Sequence, residues 1–177
     1  VLESFQSGLS WSTILKKREA FRAAFASFIP EAVAAFTDQD RERLMQDTGI
    51  VRNKRKIDAA ITNARAVIAL RSSLAAESNA HCAGRMDEAP LAQLLRPRQP
   101  YPRHLGELVW LYKPSQHPLP KNAGEVPAQT EESRALSAEL KRRGFVFVGP
   151  VTALALMSAI GIVNTDILGT WKRPSNE

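Results

Sequence analysis

Residues 141–150, KRRGFVFVGP, set three cations, two glycines five positions apart and a proline within ten residues, a combination suited to holding a phosphate. A helix ending at Gly144 and another beginning at Pro150 leave a short bend between them. At a helix start the first amides lack intrahelical partners and the dipole is positive, so an anion is stabilised there. Gly144 and Gly149 let the backbone come close to a ligand, and the uncharged FVFV between them can seat the bend against a core. The same residues also read as a short strand or a plain helix linker, with Lys141, Arg142 and Arg143 serving only the helix dipole. Both readings stand on this stretch alone.

The elements around the bend are helical. Trp11, Ile14, Phe21, Phe25 and Phe28 recur mostly every three to four residues, interrupted by Arg18, and predict one amphipathic helix over residues 10–28. Pro30 and Glu31 open a short helix through Phe36, and Thr37 with Asp38 and Asp40 caps another that stops at Gly49. Asn53 caps a long helix with the inward stripe Ile57, Ile61, Ala64, Val67 and Ile68. Thr130, followed by Glu131 and Glu132, opens a helix closing on Lys141, Arg142 and Arg143, with acids at its positive end and bases at its negative end. A last apolar helix runs from Pro150 or Val151 to Ile160. Eight of the eleven prolines lie between Pro90 and Pro127, so no continuous helix crosses that stretch, and residues 80–127 read as an insertion or inter-lobe connection. Inside it LGELVWLY, residues 105–112, suits a short docked helix or an apolar anchor.

A chain of 177 residues suits one domain with a sizeable core. Its 44% hydrophobic and 24% charged residues are those of a globular protein, and no apolar run approaches the roughly 20 residues that cross a bilayer. No membrane is therefore expected as a partner. A single cysteine, Cys82, excludes an internal disulfide and a multi-cysteine zinc site and suits a reducing compartment, which makes the cytoplasm the expected location. The 24 Lys and Arg against 18 Asp and Glu favour a polyanionic partner without choosing among nucleic acid, membrane surface and ribosome. The opening VLESFQSGLSW has neither an initiator Met nor a basic segment before an apolar core, so it is expected to be neither a signal peptide nor a natural start.

Longer stretches narrow the choice. VGPVTALALMSAIGIVNTDI, residues 148–167, resembles the helix-hairpin-helix core of base-excision DNA glycosylases, and GIVRNKRKIDAAITNARAV, residues 49–67, resembles its companion helix. QSGLSWSTILKKREAFRAAF, DTGIVRNKRKI, NARA, ALSAELKRRGFVFVG and GIVN follow one another across nearly the whole chain and are together similar to DNA-3-methyladenine glycosylase I. The resemblance implies an all-α helix-hairpin-helix glycosylase of two lobes with a lesion groove between them. It also implies a monomeric, cofactor-free enzyme that hydrolyses the N-glycosidic bond of alkylated purine, 3-methyladenine, in double-stranded DNA and leaves an abasic site.

Such an enzyme flips the nucleotide out of the stack and reads the base in a pocket. By resemblance, Glu3 is the carboxylate that contacts the base and the one catalytic candidate, with Gln6 beside it and Trp11 as the stacking ring. An alkylated purine is cationic in DNA, so a carboxylate and an electron-rich ring both favour it over adenine. Gly8 and Leu9 fall where a side chain fills the gap left in the duplex. The Val148-Gly149-x-x-Thr152-Ala153 turn with Gly144 would grip the DNA backbone, helped by Arg52, Lys54, Lys141, Arg142 and Arg143, which give affinity without lesion specificity. The plainer alternatives are a solvated Glu3, a core Trp11, a simple helix junction at Gly8-Leu9-Ser10, and a solvated face at Lys54, Arg55 and Lys56.

The sequence departs from this pattern in three places. Asn164 stands where many relatives of the wider superfamily have a catalytic Asp, and Val151 where lyase members have a nucleophilic Lys; both imply hydrolysis by water without a covalent intermediate. Members of the resembled family carry a further N-terminal segment, with a Cys, a His and pocket aromatics, ahead of the position of Val1, so the chain is expected to be a truncated glycosylase domain. Their second pair of zinc ligands matches Asp166 and Thr170, so no metal is expected, and His81, His104 and His117 are expected at the surface. The rival expectation is a non-catalytic or impaired DNA-binding module, and a third is a basic helical protein that binds RNA or another protein.

Overall fold

Capping chemistry sets most of the element boundaries. The computed structural model describes residues 1–83 and 102–170, and the side chains of these apart from residues 78–83, so His81 and Cys82 lie outside the described side chains. Helices α1 (Leu2–Gln6), α2 (Trp11–Lys16), α3 (Arg18–Ala24), α4 (Pro30–Ala34), α5 (Asp38–Gln46), α6 (Lys54–Ala83), α7 (Leu105–Trp110), α8 (Glu131–Arg142) and α9 (Pro150–Ala159) follow in order, and no strand runs among the described residues. The fold is all-α. Thr37 and Asp40 form a reciprocal capping box at α5, and Thr130 and Ser133 form another at α8. Asn53 Oδ1 accepts the Lys56 amide at the start of α6.

The single helix predicted over residues 10–28 is broken. Lys17, with φ −96° and ψ 1°, separates α2 from α3, and its Nζ reaches the Thr48 and Gly49 carbonyls at 2.8 and 3.2 Å. Ala26, Ser27 and Phe28 then take φ of 48°, 56° and 61°, a left-handed run that turns the chain before Pro30. Helix α5 ends at Gln46, short of the expected Gly49, because the Asp47 carboxylate accepts the Gly49 amide at 2.7 Å and closes a local turn. Five residues ahead of the expected first helix also form α1.

Two buried clusters organise the molecule. The first gathers Phe5, Ile14, Phe21, Phe25, Val33, Leu44, Ile57 and Ile61, with Phe5 and Phe21 edge to face at 4.7 Å between centroids. The second gathers Leu70, Leu74, Leu108, Leu136, Leu140, Phe145, Leu154, Met157 and Ile162. Helix α6 supplies residues to both. The proline-rich stretch packs where it is described: Leu108 and Val109 of α7 enter the second cluster, Pro102, Pro114 and Pro120 are buried, and the Pro120 carbonyl accepts the Leu168 amide at 2.8 Å. Residues 84–101 of it lie outside the described residues.

Helices α8 and α9 are joined by the bend Gly144–Gly149. Gly144, at φ +85°, ends α8 in a Schellman arrangement in which the Phe145 amide donates to the Leu140 carbonyl at 3.0 Å. Asn63 of α6 then pairs with the bend as one peptide pairs with another: Nδ2 donates to the Val146 carbonyl at 2.9 Å and Oδ1 accepts the Val146 amide at 2.8 Å. Ser137 Oγ donates to the Val148 carbonyl at 2.7 Å. Arg143, with an 11% exposed side chain, donates to both Glu77 oxygens, to Glu139 and to Ser73, tying the end of α8 to α6.

Two outcomes follow for stability. Removing the Asn63 clamp in Asn63→Ala is expected to cost about 1 kcal/mol, or about 2–4 °C in Tm, in urea and thermal unfolding. The Arg142 and Arg143 hydrogen bonds hold the Glu139 carboxyl down at about 2 against the burial that opposes them. A depressed carboxyl stabilises the fold above its unfolded value of 4.5 and loses that contribution as pH falls toward about 2. Glu139→Gln is therefore expected to lower stability by about 2–3 kcal/mol near neutral pH, and the difference should shrink steadily through that acid window in urea titrations.

Candidate functional site

A cavity of about 230 Å³ lies between the two clusters and touches α1, α4, α6, α7, α8, the bend and α9. Its wall is mostly apolar, with Phe28 and Phe145 as aromatic faces and Glu3, Ser4, Asn63 and Thr152 as the polar lining. That composition is the usual one for a small-molecule site, an apolar slot with few polar groups to fix orientation.

Glu3 sits in the first turn of α1, and its Oε2 is buried with no hydrogen-bond partner. Burial pushes the carboxyl above the ordinary glutamate value. An unpaired buried carboxylate oxygen costs free energy, and a cation or a hydrogen-bond donor entering the cavity removes that cost. Five residues after Glu3 the chain turns at Gly8, φ +78°, where an added Cβ would meet nothing within 4 Å. Leu9 stands 38% exposed at this turn, and Gln6 Nε2 donates to the Leu9 carbonyl at 2.9 Å. Gln6 thus holds the turn and is absent from the cavity wall. Trp11, the first residue of α2, is 39% exposed and also absent from that wall.

The bend meets the same cavity through Phe145, Val148 and Thr152. Gly149 precedes α9 with no side-chain cap, and an added Cβ there would stand in open space; Pro150 has no N–H, so Val151 and Thr152 supply the helix-start amides that lack intrahelical partners. Phe147 takes φ +57°, a strained value for a non-glycine residue, and together with Val146 it exposes an apolar tip. Gly144 supplies the turn, as read from sequence; Gly149 has φ −86° and contributes openness rather than a special angle.

The expected phosphate-attracting cations separate into two groups. Arg52 and Lys141 are exposed. Lys54 pairs with Asp58 at 2.8 Å, and Arg142 donates twice to Glu139 at 2.8 and 2.7 Å. Arg143, expected to face the DNA backbone, has a side chain only 11% exposed that is engaged by two carboxylates, Glu77 and Glu139. Lys56, read as part of a solvated basic face, is 8% exposed and donates to the Phe5 and Ser7 carbonyls at 3.0 and 2.5 Å. Sequence reasoning also missed Phe28 on the cavity wall, which the left-handed turn places there; the available signal was Pro30, which forbids a helix from running through.

Asp166 and Thr170 do not fit a zinc ion. The Thr170 hydroxyl donates back to the Ile167 carbonyl at 2.8 Å, and among the described residues no group of three or more His, Cys, Asp or Glu is arranged to hold a metal. Among those residues no helix is long and apolar enough to cross a membrane.

The profile of the methyladenine glycosylase family matches residues 1–102 and 92–173. DNA-3-methyladenine glycosylase 1 of Escherichia coli K12 is 38% identical over 99% of this chain and 80% of its own length. The DNA-3-methyladenine glycosylase of Haemophilus influenzae is 34% identical over 94% of this chain and 76% of its own. A crystal structure of 3-methyladenine DNA glycosylase I superposes with a TM-score of 0.75 at 36% identity, covering 98% of this chain and 81% of the other. The Staphylococcus aureus enzyme, in a structure addressing 3-methyladenine recognition, gives 0.73 at 28% identity, covering 99% and 78%. With a family profile matched over nearly its whole length and a curated relative 38% identical over 99% of it, the chain belongs to the methyladenine glycosylase family.

Proposed function

We propose that this chain is a DNA repair glycosylase that hydrolyses the N-glycosidic bond of 3-methyladenine in double-stranded DNA and leaves an abasic site, acting as a cytoplasmic monomer without a cofactor. The observation that carries the reading is the unpartnered Glu3 Oε2 on the wall of a cavity that also meets the α8–α9 bend. The bend and the uncapped Val151 and Thr152 amides at the start of α9 suit the sugar-phosphate chain, and Leu9 at its exposed turn suits the gap left by a flipped nucleotide. The base then enters an apolar slot where a cationic purine supplies the partner the carboxylate lacks. Two helical lobes, one on each buried cluster, flank that slot.

Chemistry at the sugar is simple. Water adds to C1′ as the bond to the base nitrogen breaks, the bonding pair leaves with the base, and the purine departs neutral because it was cationic beforehand. The attacking water releases its proton to solvent. No lysine stands at the bend to form an imine, since that position is Val151, 59% exposed. Asn164 accepts the Asp166 amide at 2.9 Å through Oδ1, a turn-forming use of its side chain. A binding-only module is the second reading, favoured by the position of Trp11 outside the cavity wall.

Glu3→Gln separates the two. Release of methylated base from methylated duplex DNA is expected to fall roughly a hundredfold, with affinity for undamaged duplex and its salt slope unchanged. A binding-only module releases nothing in either form, and borohydride capture of a protein–DNA adduct contradicts the water mechanism. Release by the unaltered protein should fall with acid, with a midpoint above 4.5, because the carboxylate form is required and burial raises its pKa. For stability the sign is opposite: a raised carboxyl makes ionisation unfavourable to the fold as pH climbs past 4.5, so Glu3→Gln should raise Tm at neutral pH and not in acid.

A further inference from the structure

Lys56 is an ammonium in a place where ammonium groups are rare. It is 8% exposed, and its two hydrogen bonds go to neutral acceptors, the Phe5 carbonyl at 3.0 Å and the Ser7 carbonyl at 2.5 Å. Desolvation alone lowers its pKa. A methionine of similar length would pack without that penalty, so the charge needs a reason beyond filling space. The acceptors supply one. They belong to the C-terminal end of α1 and the residue just past it, where helix carbonyls lack intrahelical partners and carry partial negative charge. Helix α1 has five residues, too few to hold its own geometry in water. Lys56, by contrast, sits on α6, which both buried clusters immobilise.

The segment hung from this ammonium carries the reactive parts of the site. Glu3 lies two residues before Phe5, and the Gly8-Leu9 turn follows Ser7 directly. Gln6 Nε2 closes the remaining side by donating to the Leu9 carbonyl at 2.9 Å. Resting on the glycosylase reading above, we infer that Lys56 is a positioning residue for base excision, its ammonium clamping the Phe5 and Ser7 carbonyls so that Glu3 meets the flipped purine and Leu9 meets the gap. It touches neither DNA nor base. Its partner on the same helix, Asn63, performs the matching service for the phosphate-binding bend through Val146.

The test compares the full chain with Lys56→Met and Lys56→Gln on duplex DNA methylated by dimethyl sulfate. Single-turnover release of 3-methyladenine is expected to fall about ten- to a hundredfold in Lys56→Met, as for a displaced catalytic group, with Lys56→Gln between the two because its amide can still donate. Affinity for undamaged duplex should be unchanged, and amide exchange should quicken across residues 5–10 without spreading to the bend. A folded Lys56→Met that releases base at the original rate overturns the inference. So does equal loss of release and undamaged-DNA affinity, the mark of general loosening. Should Lys56→Met fail to fold, Lys56→Gln carries the comparison, and reductive methylation of the unaltered protein adds a check: Lys56 should resist it while exposed Lys54 and Lys141 react, and equal labelling overturns the clamp. An unaltered chain that releases no methylated base overturns the glycosylase reading itself and this inference with it, an outcome distinct from equal release by chain and variant.

Discussion

One helix buried in two cores fixes everything else at the site. Helix α6 gives Ile57 and Ile61 to the first cluster and Leu70 and Leu74 to the second, so its 30 residues, about 45 Å end to end, cannot shift against either. Lys56 and Asn63 are seven residues apart on it, two turns, and therefore share a face about 10 Å along the axis from one another. Each leaves that face to hold backbone from a distant part of the chain, the end of α1 in one case and the α8–α9 bend in the other. The separation between the Glu3 segment and the α8–α9 bend is set by helix geometry, which is stiffer than any loop could be.

The carboxylate itself is an energetic liability kept in place by that frame. A buried, unpaired Glu3 oxygen raises the free energy of the empty protein, and the cavity around it is too apolar to relieve it. The same poor solvation makes the charge useful. At an effective dielectric near 20, an opposite charge about 4 Å away is worth about 4 kcal/mol against about 1 in water. Adenine, uncharged, earns none of this difference. On the proposed reading, selectivity for an alkylated purine would come from this charge term, with Phe28 and Phe145 as the aromatic faces of the slot.

What could be read from the sequence was whatever is decided within a few residues. The Thr37 and Thr130 caps, Asn53 before α6 and the αL stop at Gly144 all depend on side chains reaching their own neighbours, and each stands in the structure. The misread features depend on partners far along the chain. Helix periodicity continues through Lys17, yet the break there is tied to carbonyls more than thirty residues on. Lys56 looks solvated inside KRK until the Phe5 carbonyl, 51 positions away, is placed against it. Arg143 ends a basic run in sequence but meets Glu77, 66 residues earlier. Nothing within a few residues marks Asn63 as a clamp, because its partner Val146 is 83 positions distant. Composition marks such residues as polar and cannot say which are spent indoors.

That spending leaves backbone amides as the proposed contacts between a strongly basic chain and a polyanion. The excess of six cations creates a long-range field that draws DNA toward the surface, which needs no particular geometry. Contact at the site is another matter, because Lys54, Arg142 and Arg143 are neutralised locally by Asp58, Glu139 and Glu77. Backbone amides at the start of α9 carry no side-chain entropy and need no counter-charge, so the proposed contact there would register the backbone without competing with those ion pairs. A precise backbone grip matters more here than catalytic force. When the leaving group is already cationic, bond cleavage asks little of the protein, and the harder task is to hold an everted base against one carboxylate long enough for water to arrive.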